Sequence, residues 1–294
     1  MRAPAEGAAT AAMLDPRRVG IEPRRLDERV ATLSIDVETD YGSGRIEALS
    51  KIDRFLDVMG ALGVPVTAFV EGQFFENRRE LCRLLLDHGA DVQLHCYDHG
   101  LPGDTPESLR RGAAAYADFC GRPPSGYRAH TYRLTEELFE TLVEAGFRWD
   151  SSVMTAFAQG RNPHPEFKRG DYFLLGGQLV EFPIGTWGRL PLALNHTHRL
   201  LVKKPAEAML RAAFGPSRLA AYNVHMTDLV RCDSLRSAER SPLVRLLYRY
   251  LWCTQGGDTF ASLTSIVAYL RHLGFAFLTT DDLHRRVTSA ASSG

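Results

Sequence analysis

The sequence has no Cys-x-x-Cys pair, no excess of one charge, no internal repeat, and no apolar run near the roughly 18 residues that a membrane span requires. Its five cysteines (Cys82, Cys96, Cys120, Cys232 and Cys253) are odd in number and scattered. That argues against a disulfide framework and a thiolate zinc site, and it fits a reducing compartment. Lys plus Arg and Asp plus Glu number 35 each, so no overall field would draw the chain to nucleic acid or to an anionic membrane. The opening residues, Ala-rich and then Arg-rich, lack the apolar middle of a secretory signal. A cytoplasmic protein is therefore expected, with no nucleic-acid partner and no transmembrane segment. Residues 1–29, whose charges alternate without an apolar face, are expected to form a flexible N-terminal tail.

With 294 residues and 45% apolar content, the remainder can fill a substantial core, and residues 30–294 read as a single domain. Val30 to Val37 is rich in Val, Ile and Thr and predicts a strand ending at the acidic cluster Asp36-Val37-Glu38-Thr39-Asp40. Apolar residues at helical spacing from Ile46 to Met59, stopped by Gly60 and Gly63, predict a helix; Pro65 then restarts the chain as a strand over 66–70.

The alternation continues. It predicts helices over 76–88, 105–119 and 135–145, and strands over 91–94, 126–128 and 147–150. Thr105 and Pro106 supply an N-cap and a first helical position. Strands and helices at this spacing imply an α/β fold with parallel strands, whose ligands gather at the strands' carboxyl ends. Asp36, His95 and Arg128 all fall there. Tyr172–Leu175 and 179–182 read as a hairpin about Gly176-Gly177. Residues 188–217, with a helix expected over 205–214, read as an insertion beside the mouth. A strand over 219–225, a helix over 258–273, a strand over 275–278 and a helix over 281–287 close the chain.

The chemistry centres on His95-Cys96-Tyr97-Asp98-His99. His-x3-His can present two imidazoles to one ion, and a carboxylate completes a facial set with open positions. Asp36 and Glu38 share one face of a strand and can divide the labour, one holding the metal and the other acting as general base. Zinc suits such a set; cobalt, nickel, manganese or iron (Zn2+, Co2+, Ni2+, Mn2+, Fe2+) can take the same geometry.

From about Thr32 to Asp282 these residues resemble the polysaccharide deacetylases, the NodB homology domain of carbohydrate esterase family 4. Asp36-Val37-Glu38 looks like the subgroup with peptidoglycan-deacetylase-like proteins and formamido-arabinose deformylases. The resemblance places Asp36 as base and Glu38, His95 and His99 as metal ligands, with Asp40 a substitute for Glu38. Arg128, in Gly126-Tyr127-Arg128-Ala129-His130, matches the arginine that holds the base, although the family's usual nearby proline is missing. Trp149-Asp150-Ser151-Ser152 matches a tetrad that often follows. In Glu181-Phe182-Pro183-Ile184-Gly185-Thr186-Trp187 the family's Trp is matched by Trp187, but the adjacent acid is absent. His225, after Tyr222-Asn223-Val224, matches the catalytic acid. His130 and Trp187 are the expected substrate contacts, with a backbone N–H near His130 as an oxyanion donor.

The resemblance implies a distorted (β/α)7-type barrel that hydrolyses an acetyl or formyl N-acyl group on an amino sugar or sugar conjugate. The basic stretch Arg231, Arg236, Arg240, Arg245 and Arg249 reads either as the wet face of an amphipathic helix or as a receiver for a phosphate on the substrate. Three rival readings stand beside this one. An iron oxygenase with two histidines and one carboxylate is opposed by the strand–helix alternation, since that site usually sits on an all-β jelly roll. The others are an allantoinase-like hydrolase of a small cyclic amide or imide, and a non-catalytic sugar-binding scaffold.

Overall fold

The computed structural model describes residues 13–40, 44–99, 104–154, 167, 170–185, 194–201, 211–212, 214–231, 246 and 259–291. A short helix α1 (Pro16–Val19) and strand β1 (Ile21–Arg24) precede β2 (Val30–Val37). Next come α2 (Ile52–Ala61), β3 (Val66–Val70), α3 (Gly72–Asn77), α4 (Arg79–Asp87), β4 (Asp91–Leu94), α5 (Pro106–Cys120), β5 (Gly126–Tyr127), α6 (Glu136–Glu144) and β6 (Trp149–Asp150). The hairpin β7 (Tyr172–Leu175) and β8 (Leu179–Glu181) leads to α7 (His196–Leu201), β9 (Leu219–His225), α8 (Met226–Leu229), α9 (Phe260–His272), β10 (Ala276–Leu278) and α10 (Thr280–Ala291).

The strands form one sheet in the order β1-β7-β8-β6-β5-β4-β3-β2-β10, with β9 also on β2. Every pairing is parallel except β1 with β7 and β7 with β8. β2 is the hub. β9 lies along one of its edges from Val30 to Asp36, while the other edge is shared by β10 at Val30–Thr32 and β3 at Leu33–Val37. The sheet curls into a half-barrel, so the expected barrel of this α/β fold is present with its ends, β1 and β9, unpaired to each other among the described residues.

All eight residues of β2 are buried, as a strand covered on both faces must be. Its alternation sorts them: Ala31, Leu33, Ile35 and Val37 join the main core with α2 and α9 residues such as Phe55, Met59 and Ile266. A smaller core holds Val30, Phe69, Trp149, Phe182, Leu219, Leu283 and Val287. Helix α10 contributes the last two and is pinned there by Asp281, which accepts from Trp149 Nε1 at 3.1 Å and Ser125 Oγ at 2.7 Å. Gly126 lies flat against Trp149: a Cβ there would come within 2.1 Å of the indole, so the fold needs glycine at that point.

Several expectations shift in detail. Of the flexible tail expected over 1–29, residues 13–29 are tied to the fold, because β1 pairs antiparallel with β7 and Leu14 and Leu26 are buried; residues 1–12 lie outside those described. The helix expected over 76–88 is two helices, α3 and α4, broken where Arg78 leaves helical geometry (φ −138°, ψ 44°). Thr105 caps α5 as expected, accepting from Ser108 N, a bond worth about 1 kcal/mol. Most of the insertion near 188–217 and of the helix expected over 205–214, and Arg236, Arg240, Arg245 and Arg249 of the basic stretch, lie outside the described residues; residues 211, 212 and 214 are helical. No helix among the described residues is long and apolar enough to cross a membrane.

Candidate metal centre and active site

Period-two geometry builds the floor of the site. Thr32, Ser34 and Asp36 point to one face of β2, and Glu38 follows just past its end. In register, Asp36 lies opposite His225, the last residue of β9, and opposite Phe69 of β3. His95 comes directly after β4, Arg128 after β5 and Ser151 after β6. Five strands therefore deliver their polar residues to the same end of the sheet.

Glu38, His95 and His99 present ligand atoms that all lie within 4.8 Å of one another. Glu38 Oε2 is 3.4 Å from His95 Nε2 and 2.8 Å from His99 Nε2. His95 Nδ1 is 2.6 Å from the Arg128 carbonyl; a carbonyl only accepts, so Nδ1 carries a proton and Nε2 is turned toward Glu38. This is how an imidazole is oriented for a cation. Burial alone would lower His95, but the Glu38 bond and the Asp36 and Glu38 charges outweigh it and push it up to about 9. Burial would raise Glu38, yet its bonds to His95 and His99 hold it well below the ordinary carboxylate range. Two nitrogens and one carboxylate oxygen converging on one point fit a divalent transition metal.

Asp40 is occupied elsewhere. Its carboxylate accepts from the backbone N–H groups of Glu47 at 2.7 Å and Ala48 at 3.1 Å, capping the 3-10 turn Ala48–Lys51. It remains on the wall of a small pocket with Asp36, Glu38, Leu49, His225, Met226 and Thr227. A second group of ligating type, Cys96, Asp104 and His130, lies close together. There, burial and the Asp104, Glu71 and Glu38 charges keep the Cys96 thiol protonated, well above its ordinary value.

Asp36 and Arg128 are each about 2% exposed. Arg128 Nη1 donates to Asp36 Oδ1 at 2.7 Å, Ser34 Oγ at 2.9 Å and Asn223 Oδ1 at 2.8 Å. Its other nitrogens reach the Ser151 carbonyl at 3.1 Å and Ser151 Oγ at 3.0 Å, and the guanidinium lies 3.9 Å over the Phe69 ring. Asp36 Oδ2 accepts from Asn223 Nδ2 at 2.9 Å and Tyr132 OH at 3.1 Å. Burial works to raise Asp36, but Arg128 first, then His225 and His95, hold it well below the usual carboxylate range. It is thus an ionised, oriented carboxylate.

His225 Nε2 is 3.3 Å from Asp36 Oδ2 and 3.8 Å from Glu38 Oε1. On its other side Nδ1 is 3.5 Å from Asp228 Oδ2. Burial would lower His225, and the Asp228, Asp36 and Glu38 carboxylates together push it well above its ordinary value.

The structure brings together Asp36, Glu38, His95, His99, Arg128 and His225. His130 stacks on His99 with ring centroids 3.8 Å apart. Its own backbone N–H donates to Asp104 Oδ2 at 2.7 Å. Trp187 lies outside the described residues. Sequence reasoning missed Ser34, Asn223, Tyr132 and Asp228. Ser34 and Asn223 were accessible through strand alternation, each two places before a residue already singled out. Tyr132 was not: it reaches Asp36 because Thr131 and Tyr132 adopt left-handed geometry (φ 53° and 57°), which costs energy away from glycine.

No family model matches the chain. It is 27% identical over 128 residues to a peptidoglycan deacetylase-like protein of Gibberella zeae, covering 41% of this chain and 38% of the relative. It is 27% identical over 124 residues to a peptidoglycan deacetylase of Helicobacter pylori, covering 40% and 42%. The chain thus matches only about two fifths of the length of these relatives. A mutant of a CE4 family pseudoenzyme from Bacillus anthracis superposes with a TM-score of 0.50 at 12% identity, over 90% of this chain and 71% of that one. At that identity the likeness shows the fold.

Proposed function

We propose that this protein is a metal-dependent hydrolase of the polysaccharide-deacetylase kind, removing an acetyl or formyl N-acyl group from an amino sugar or sugar conjugate. One observation carries the reading: the Glu38–His95–His99 group opens beside a buried Asp36–Arg128 pair, with His225 facing Asp36 at 3.3 Å. The two relatives named for peptidoglycan deacetylation support it.

A divalent ion held by Glu38, His95 and His99 would polarise the acyl oxygen and lower the pKa of a water beside it; zinc suits the donor set. Asp36, kept ionised and aimed by Arg128, takes the proton from the attacking water. His225 gives its Nε2 proton to the departing nitrogen, because an amine leaves poorly as an anion. Asp36, adjacent to Nε2, can then return the proton it received.

The test is free-amine detection with fluorescamine on a panel of N-acetyl and N-formyl amino sugars and nucleotide sugars. Amine release by the wild type, reduced at least ~100-fold in His225→Ala with metal content unchanged, is the expected result. No amine from any panel member would overturn the reading.

A further inference from the structure

We propose that Asp228 is the positioning residue for His225, fixing the ring so that Nδ1 faces the Asp228 carboxylate and Nε2 faces Asp36 and the leaving nitrogen. The proposal rests on the deacetylase reading above and assigns that site one further residue.

Asp228 is 2% exposed, and both of its oxygens are held. Thr197 Oγ1, from α7, donates to Oδ1 at 2.7 Å; the His225 backbone N–H donates to Oδ2 at 3.1 Å. The held Oδ2 is the one 3.5 Å from His225 Nδ1. The carboxylate is therefore clamped from two elements, and its clamped oxygen lies beside the ring nitrogen that points away from the reaction. The capping box on the four-residue α8 accounts for that backbone bond and for a contact of the His225 ring with the Asp228 backbone N–H, but not for a buried charge. Ser or Asn would supply that without burying a charge, and a buried carboxylate is costly unless an ionisable partner meets it.

His196 is no such partner: its Nδ1 lies 3.1 Å from Tyr222 OH, and burial pushes it down to about 4, so it is neutral. Among the described residues, the ionisable group that faces the Asp228 carboxylate is His225. The chemistry depends on this orientation. As the C–N bond of the tetrahedral adduct breaks, its electron pair stays on nitrogen, the acyl C=O re-forms, and nitrogen takes the Nε2 proton. A ring turned about Cβ–Cγ would present carbon there instead. A carboxylate on the far nitrogen prevents that turn.

The experiment compares wild type, Asp228→Asn and Asp228→Ala on two acetyl donors. One is an N-acetyl amino sugar, whose amine must be protonated; the other is 4-nitrophenyl acetate, whose phenolate leaves unaided. Expected are a kcat at least ~100-fold lower on the amide, KM within about twofold, bound metal unchanged, and ester turnover within about threefold of wild type. Nitrogen-15 NMR is expected to show His225 ring signals that Asp228→Asn shifts. Equal losses on amide and ester, or near-wild-type amide turnover in Asp228→Asn, would overturn the assignment while leaving the deacetylase reading intact. A wild type that releases no amine sinks that reading, and the NMR comparison then decides the positioning by itself: an unchanged ring in Asp228→Asn overturns it.

Discussion

Replacing Arg128 with alanine removes the cation that faces Asp36, along with donors to Ser34, Asn223 and both oxygens of Ser151. The partners stay buried, so their desolvation is no longer offset. Breaking a buried ion pair by deleting one partner costs about 3–5 kcal/mol, and Arg128→Ala is expected to fall in that range. Arg128→Lys keeps the charge but loses the planar fork and the Ser151 bonds; roughly 1–3 kcal/mol is expected, from one or two lost hydrogen bonds.

The sign of the pH effect follows from Asp36. Its folded value is depressed below the ordinary 3.8, with Arg128 the foremost lowering influence. It therefore contributes stability above the unfolded value, which is lost as pH falls through the folded one. Without Arg128, burial dominates and the carboxyl takes up its proton at higher pH, so the gap between wild type and Arg128→Ala should be wider at pH 7 than at pH 4. Urea unfolding with unchanged m measures this directly. A loss below about 1 kcal/mol at pH 7, or an equal gap at both pH values, would refute the reasoning.

Two further predictions concern neighbouring carboxyls. Asp150 and Glu181 are register partners at the ends of β6 and β8 and fully buried; burial and the Asp150 charge raise Glu181 well above its ordinary value, as for a pair sharing one proton. That contribution to stability is present below the unfolded value and lost as pH rises through the folded one. Glu181→Gln, whose amide can donate permanently to Asp150, should flatten the fall in stability above about pH 4.5; an unchanged pH profile in thermal melts would contradict it. Asp40→Ala should cost about 1–2 kcal/mol through its lost backbone caps and keep bound metal, whereas Glu38→Gln should weaken metal binding at least ~10-fold; metal titration that finds the reverse would make Asp40 the ligand.

The sequence was most legible where periodicity and burial coincide. Val30–Val37 and Leu219–His225 are strands with the expected limits, because both are buried on each face and bounded by polar or turn residues. The placement of Asp36, His95 and Arg128 followed from parallel topology, which puts strand ends together whatever their separation in the chain. What could not be read was contact across the sheet. Nothing local in Asn223 says that its amide will bridge Asp36 and Arg128; that depends on β9 pairing with β2 across almost two hundred residues. The break at Arg78 falls in the polar run Glu76-Asn77-Arg78-Arg79-Glu80, which holds neither Gly nor Pro to mark it. β1 was overlooked because its four residues are largely exposed, so it has no hydrophobic signature, only backbone pairing with β7.

The central claim is that Glu38, His95 and His99 hold a metal ion beside Asp36. Elemental analysis of wild type and His95→Ala, after zinc loading and exhaustive dialysis, tests it most directly. The account predicts about one ion per chain in wild type and little in the variant, with circular dichroism unchanged. Wild type without bound metal, or His95→Ala retaining a full equivalent, would contradict it.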